Sequence, residues 1–220
     1  MEYKYLAKSE HTYRFGLVVP VQFDLQELYS VKDFPLEEII REIDHFVFQN
    51  GNPDYIWLKI PNNLKLINGI KFLIKLIKKS NPYQKIGAYI NCSIVCKKIA
   101  QKGLVDCDFI AININSIEPS NYGKVNPSCA NLSLDELLEG MIEFNRNYKG
   151  HLGIYTMFFS GINDNIKSIN SLKNFLLEIM PDYISIGNYT GKGFEPISIE
   201  FKKTLEENFE DVPFEVIYTF

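Results

Sequence analysis

The chain has 220 residues, 46% of them hydrophobic, a formal net charge of -4 and a pI of about 5.5. That length and apolar content can fill the core of one domain spanning residues 1–220. The charges are interspersed, with no basic run or face, which argues against a nucleic-acid partner, since that affinity comes from neutralising phosphates with Lys and Arg. The N-terminus lacks the apolar core of a signal peptide, and no apolar run approaches the roughly 20 residues that cross a bilayer. The expectation is a cytoplasmic protein with no membrane partner, in which Cys92, Cys96, Cys107 and Cys129 are thiols rather than a disulfide framework.

In chain order, "FGLVVPVQF" (15–23) reads as a strand. "PLEEIIREIDHFVFQ" (35–49) has apolar residues at helical spacing, with Pro35 near the first turn and Glu37 and Glu38 suited to a helix N-terminus. "YIWLKI" (55–60) is a strand and "NGIKFLIKLIKKS" a helix. "KIGAYIN" (85–91) is a strand, and "CSIVCKKIAQKG" a short helix ending at Gly103. "DFIAININ" (108–115) is a strand, followed by a long loop over 116–132. Ser133, three residues before Glu136, opens the next helix with a capping box. "LGIYTMFF" (152–159), a helix stopped by Pro181, "DYISIGNY" (182–189), a last helix and "FEVIYTF" (214–220) complete the series. No internal repeat is apparent.

Short, nearly continuous apolar strands alternating with helices predict a buried parallel sheet in an α/β fold. Six βα units suit a partial (β/α)6 TIM-type barrel better than a full eight-fold one, and a doubly wound sheet is the alternative. No glycine-rich phosphate loop follows the first strand, which weighs against a nucleotide-binding fold of that kind. Either architecture puts the site at the carboxyl ends of the strands, in loops starting near Val21, Pro61, Asn91, Asn115, Ser160 and Asn188.

The stretch from "DFIAININSIEPSNYGKVNPS" through "SLDELLEGMIEFNRNYKG" to "GINDN" is an aspartate-led strand and a loop carrying Val125, Asn126 and Pro127. A helix from Ser133 to Phe144 and a turn with Gly161, Asn163 and Asp164 follow. In this order the elements resemble the radical S-adenosylmethionine (radical SAM) enzymes, in their compact wyosine-synthesis-like and activase-like branch. The resemblance implies a radical-SAM-like partial barrel. It also implies three cysteines, spaced C-x3-C-x2-C after the first strand, that hold a [4Fe–4S] cluster whose fourth iron takes S-adenosylmethionine.

This chain departs from that pattern. In "VQFDLQEL", Phe23 and Asp24 keep their places while the three ligand positions become Val21, Leu25 and Leu28, which have no donor atom for iron. The turn that would hold the methionyl amino group reads Lys59, Ile60, Pro61, placing a cation where an ammonium ligand would sit. After the third strand stands Asn91–Cys92, without the glycine that permits close backbone approach. The resemblance therefore implies a degenerate member with no [4Fe–4S] cluster and no expected cofactor, Leu25 and Leu28 packing where the cluster would lie. Any S-adenosylmethionine binding is expected to be weak.

Other constellations are sparse. Cys92, Cys96 and Cys129 offer an alternative metal site, against which buried cysteines act as small apolar residues. A reactive Cys92 thiol at a helix start is a further reading. No histidine falls at a strand's carboxyl end, so general-base chemistry by His11, His45 or His151 is not expected. Asn91, Asn113, Asn115, Asn163 and Asn188 with Tyr155 form a potential polar ring for a small molecule, although Asn also caps loops everywhere.

The expected function is that of a catalytically inactive partner, scaffold or regulator, acting on an active radical SAM protein or in a homo-oligomer. The alternatives are a barrel that binds S-adenosylmethionine or a nucleoside-like molecule, and an enzyme repurposed around Asp24, Tyr155 or Cys92.

Overall fold

The computed structural model describes residues 3–23, 34–129, 131–191 and 193–220. Among these residues eight strands form one sheet in chain order: β1 (Glu10–Thr12), β2 (Gly16–Gln22), β3 (Tyr55–Lys59), β4 (Lys85–Asn91), β5 (Phe109–Asn113), β6 (His151–Phe158), β7 (Tyr183–Asn188) and β8 (Glu215–Thr219). β1 runs antiparallel to β2, and β2 to β8 are parallel neighbours. The order does not close on itself, so six βα crossovers curl the sheet into an open partial barrel.

The crossovers carry α1 (Leu36–Asn50), α2 (Ile67–Ser80), α3 (Cys92–Val95), α4 (Lys98–Leu104), α5 (Tyr122–Val125), α6 (Leu134–Asn147), α7 (Ile166–Ile179) and α8 (Ile199–Asn208). Ser133 accepts from the Glu136 N–H and Glu136 reaches back to Ser133, completing the box that starts α6. The helix expected over "CSIVCKKIAQKG" is two pieces. Lys97 is extended and begins α4 anew, and the backbone of α6 presses in at Gly140, where a Cβ would lie 2.4 Å from Cys96 Cβ. Gly103 lies inside α4, where a Cβ would strike Ile67 at 2.6 Å, so it serves helix packing rather than termination.

The sheet's two faces have separate cores. Alternate residues such as Val19, Val21, Ile56, Leu58, Ile86, Ile90, Ile110 and Ile154 point outward to the helices, each nearly or fully buried. Burying each such side chain stabilises by roughly 1.5–3 kcal/mol. The inward residues Val18, Tyr55, Trp57, Phe109, Ala111 and Tyr183 form a second, aromatic cluster, and Phe15 from the β1–β2 turn packs into it with its ring 4.8 Å from Trp57 and 4.9 Å from Phe109. This cluster floors the barrel at the amino ends of the strands.

A recurrence that the sequence reading missed builds this floor. Pro53-Asp54-Tyr55, Cys107-Asp108-Phe109 and Pro181-Asp182-Tyr183 lead alternate strands β3, β5 and β7. Each aspartate accepts the backbone N–H of the preceding strand: Asp54 from Leu17, Asp108 from Ile86 and Asp182 from Leu152, all at 2.7 Å. Each following aromatic enters the floor. The strand between supplies glycine: a Cβ on Gly87 would lie 2.2 Å from the Trp57 ring, and one on Gly153 2.6 Å from Tyr183. Layers filled from alternate strands are how barrels of this type pack.

β1 was also missed. It is three residues long, and its continuation Tyr5–Ala7 pairs with β2 through Ala7 N–H to Pro20 O and Gln22 N–H to Tyr5 O, each 2.9 Å. Glu42 on α1 pins that segment, accepting from the N–H groups of Lys4, Tyr5 and Leu6 at 2.9–3.0 Å. Such contacts lie far apart in sequence, and periodicity cannot reveal them.

Candidate functional site: the barrel mouth

Strand register decides which expected site residues meet. Asn91 on β4, Asn113 on β5 and Tyr155 on β6 are direct register partners and alternate with outward residues, so they form one row on the inner face. Asn113 donates over long 3.4 Å contacts to Asn115 Oδ1 and Tyr155 O. Tyr155 accepts the Tyr183 hydroxyl at 2.7 Å, and Tyr89 packs edge-on to its ring. Burial holds the Tyr89 and Tyr183 phenols above their ordinary range, so both stay protonated donors.

Asn188 stands apart. It shares the alternation of Ile184 and Ile186, which face the helices, and its Oδ1 is buried without a hydrogen-bond partner among the described residues. Asn115, Asn163 and Asn126 are consumed by the backbone. Asn115 donates to Val125 O at 2.8 Å and accepts from Met157 N–H at 3.1 Å. Asn163, fully buried, accepts from Phe159 N–H and donates to Asn115 O and Met157 O. Asn126 accepts from Asn115 N–H at 2.8 Å and donates to Ser116 O at 2.7 Å and Tyr122 O at 2.9 Å. These three amides brace the mouth loops. Asp164 accepts from Gly161 N–H in the same way, while Asn165 caps α7.

The braced loops wall a cleft of about 370 Å³, with Asn91, Asn113 and Asn115 on its floor, Lys124 and Ser128 on one side and an aromatic shelf on the other. In the shelf, Phe159 and Tyr189 stack at 4.7 Å and Phe194 meets both edge-on. The shelf was not foreseen; its residues are scattered over two loops.

The thiols group differently from a three-ligand site. Cys92 and Cys129 Sγ touch at 3.0 Å, both fully buried, while Cys96 donates to Ser93 O at 3.3 Å. Two thiolates sharing one tetrahedral zinc at about 2.3 Å each stand about 3.8 Å apart, wider than this pair. Among the described residues no group of three His, Cys, Asp or Glu is placed to hold a metal ion. Cys92 donating to Cys129 lowers the Cys129 thiol to about 7, helped by hydrogen bonds from Tyr122 and Ser128, and the same bond raises Cys92. A raised, buried Cys92 thiol does not favour the reactive thiolate expected at that helix start. Cys107 is buried at the opposite end of the barrel.

For the cluster that the resemblance implies, the donors after β2 do not fit. The sequence has no cysteine before Cys92. Val21 lies within β2, fully buried against the helix layer with Val19, and points away from the mouth. Asp24, Leu25 and Leu28 lie outside the described residues.

Comparison with known proteins supports the architecture. No family model matches the chain. Among curated proteins, UPF0026 protein MJ1312 of Methanocaldococcus jannaschii is 24% identical over 174 residues, 76% of this chain and 50% of its own length. A UPF0026 protein of Helicobacter pylori is 24% identical over 79% of this chain and 52% of its own. The chain thus spans about half the length of these relatives. Among solved structures, Streptococcus suis SuiB superposes with a TM-score of 0.64 at 12% identity, over 85% of this chain and 44% of that one. A radical SAM methyltransferase from Sphaerobacter thermophilus gives 0.64 at 10%, over 84% and 56%. A domain of the pyruvate-formate lyase-activating enzyme from Bacteroides vulgatus gives 0.55 at 14%, over 70% and 93%. The fold is a radical-SAM-like partial barrel. Among the described residues no helix is long and apolar enough to cross a membrane.

Proposed function

We propose that this chain is a radical-SAM-like pseudoenzyme, a barrel that works by binding rather than by reductive cleavage of S-adenosylmethionine. The observation carrying this reading is the donor set: the first 91 residues contain no thiol, so the segment after β2 supplies none of the three thiolates that a [4Fe–4S] cluster takes from its protein. The barrel around it is intact. Its open lateral side and mouth loops are the surfaces offered to a partner, for which an active radical SAM protein or a second copy of this chain are the candidates. The decisive experiment is iron and sulfide analysis after anaerobic reconstitution, with an S-adenosylmethionine cleavage assay. Substoichiometric iron and no cleavage support the reading; a stable cluster with cleavage refutes it.

A second reading, a small-molecule-binding barrel, is favoured by Asn91 and Asn113, register partners on the floor of the cleft beneath the aromatic shelf, polar groups under a stacking surface suited to a flat nucleoside-like ring. Calorimetry with S-adenosylmethionine and nucleosides tests it, and a flat response removes it.

A further inference from the structure

Below the mouth, between β1–β4 and β6, lies a second cavity of about 360 Å³. Its walls are the rings of Trp57, Tyr89 and Tyr155 with Pro20, and it carries two charges of opposite sign, Glu10 and Lys59. Register separates the two charges. Glu10 pairs with Val18, which neighbours Tyr55, whereas Lys59 neighbours Gln22, four residues further along β2. At about 3.3 Å per residue the backbones are offset by roughly 13 Å along the sheet, and long side chains shorten that gap. Neither side chain has an ion-pair or hydrogen-bond partner among the described residues, so more than 4.0 Å separates their charged atoms.

We propose that this lumen binds an elongated aromatic zwitterion, its ring against Trp57, its carboxylate on Lys59 and its ammonium on Glu10. The volume suits one substituted ring and falls in the range of small-molecule pockets. Aromatic walls favour a flat apolar body, and the Glu10 carboxylate favours an ammonium group at its end. The acid at one end disfavours a polyanion such as a nucleoside triphosphate, and the base at the other disfavours a simple amine. The proposal stands apart from the pseudoenzyme reading: it uses no cluster, and its test gives the same answer whether or not one assembles.

Trp57 is the chain's single tryptophan and lines this cavity, so fluorescence excited at the red edge comes from a side chain that the ligand would touch. The full chain is titrated with 4-(aminomethyl)benzoate, benzoate and benzylamine, none of which absorbs at the red edge of tryptophan excitation. The zwitterion is expected to change Trp57 emission with a dissociation constant at least ~10-fold below that of either half-ligand. Lys59→Ala should reduce its affinity to that of benzylamine, and Glu10→Gln to that of benzoate. Both positions are exposed, and unchanged circular dichroism certifies the variants' fold. No response to any of the three, equal affinity for all of them, or variants that bind like the wild type would each overturn the proposal.

Discussion

Asn126 is the residue on which the mouth loops depend most. Its amide is 3% exposed and makes three hydrogen bonds, from Asn115 N–H and to Ser116 O and Tyr122 O. In Asn126→Ala, Tyr122 O keeps the Asn126 backbone N–H at 3.1 Å, but Asn115 N–H and Ser116 O lose the partners described above. Each orphaned buried group costs about 1–3 kcal/mol. Water entering from the adjoining cleft offsets part of this, which leaves about 2–4 kcal/mol of lost stability. Asn126→Asp keeps the acceptor for Asn115 N–H but sets a carboxylate oxygen against two carbonyls, so at neutral pH it should be destabilised nearly as much. Asn113→Ala, which loses only contacts of 3.4 Å, should cost less than ~1 kcal/mol. Urea unfolding followed by Trp57 fluorescence ranks the three. If Asn126→Ala lies within ~1 kcal/mol of wild type, or Asn113→Ala costs as much, the bracing argument is wrong.

Three other outcomes follow from the geometry. Gly87→Ala forces a Cβ into the Trp57 ring, so overpacking should cost about 1–3 kcal/mol and shift the Trp57 emission maximum; unchanged emission would contradict the floor packing. Cys129 should titrate near 7 by ultraviolet thiolate absorbance, and Cys92→Ala should raise it toward an ordinary thiol; an unmoved titration would mean that Cys92 is not its donor. Glu118, 1% exposed in the loop after β5, is lowered to about 2 by Lys167, at 2.7 Å, and by Ser120. Because its folded value lies below its unfolded value near 4.5, its contribution is complete above that value and is lost as pH falls toward 2. Lys167→Ala should flatten thermal stability across that window, and an identical acid profile would remove Glu118 from the account.

The parallel strands were legible in the sequence because each is a short apolar run bounded by polar breaks, and six crossovers suffice to imply a partial barrel. The amide row was half legible. Asn91 and Asn113 end their strands and Tyr155 lies within β6, but only register shows that the three are neighbours, and only alternation that Asn188 faces the other way. Val21 falls at a ligand position by the resemblance to the radical SAM motif, yet alternation with Val19 sends it to the helix side, a distinction that needs the strand's exact start. Lys59 was legible only as a misfit; its sharing of a cavity with Glu10 depends on a β1 hairpin too short for periodicity to reveal.

The three aspartate clamps separate two demands on the chain. A parallel strand that slips by one residue turns its buried face to the wrong side. Asp54, Asp108 and Asp182 set that alignment at the strands' amino ends, where the aromatic floor is also laid. The carboxyl ends are thereby relieved of holding the sheet in step. Side chains at the rim that brace no loop, such as Asn113, can be exchanged one at a time while the barrel keeps its shape, so a lineage can abandon one chemistry there and acquire another without passing through an unfolded ancestor.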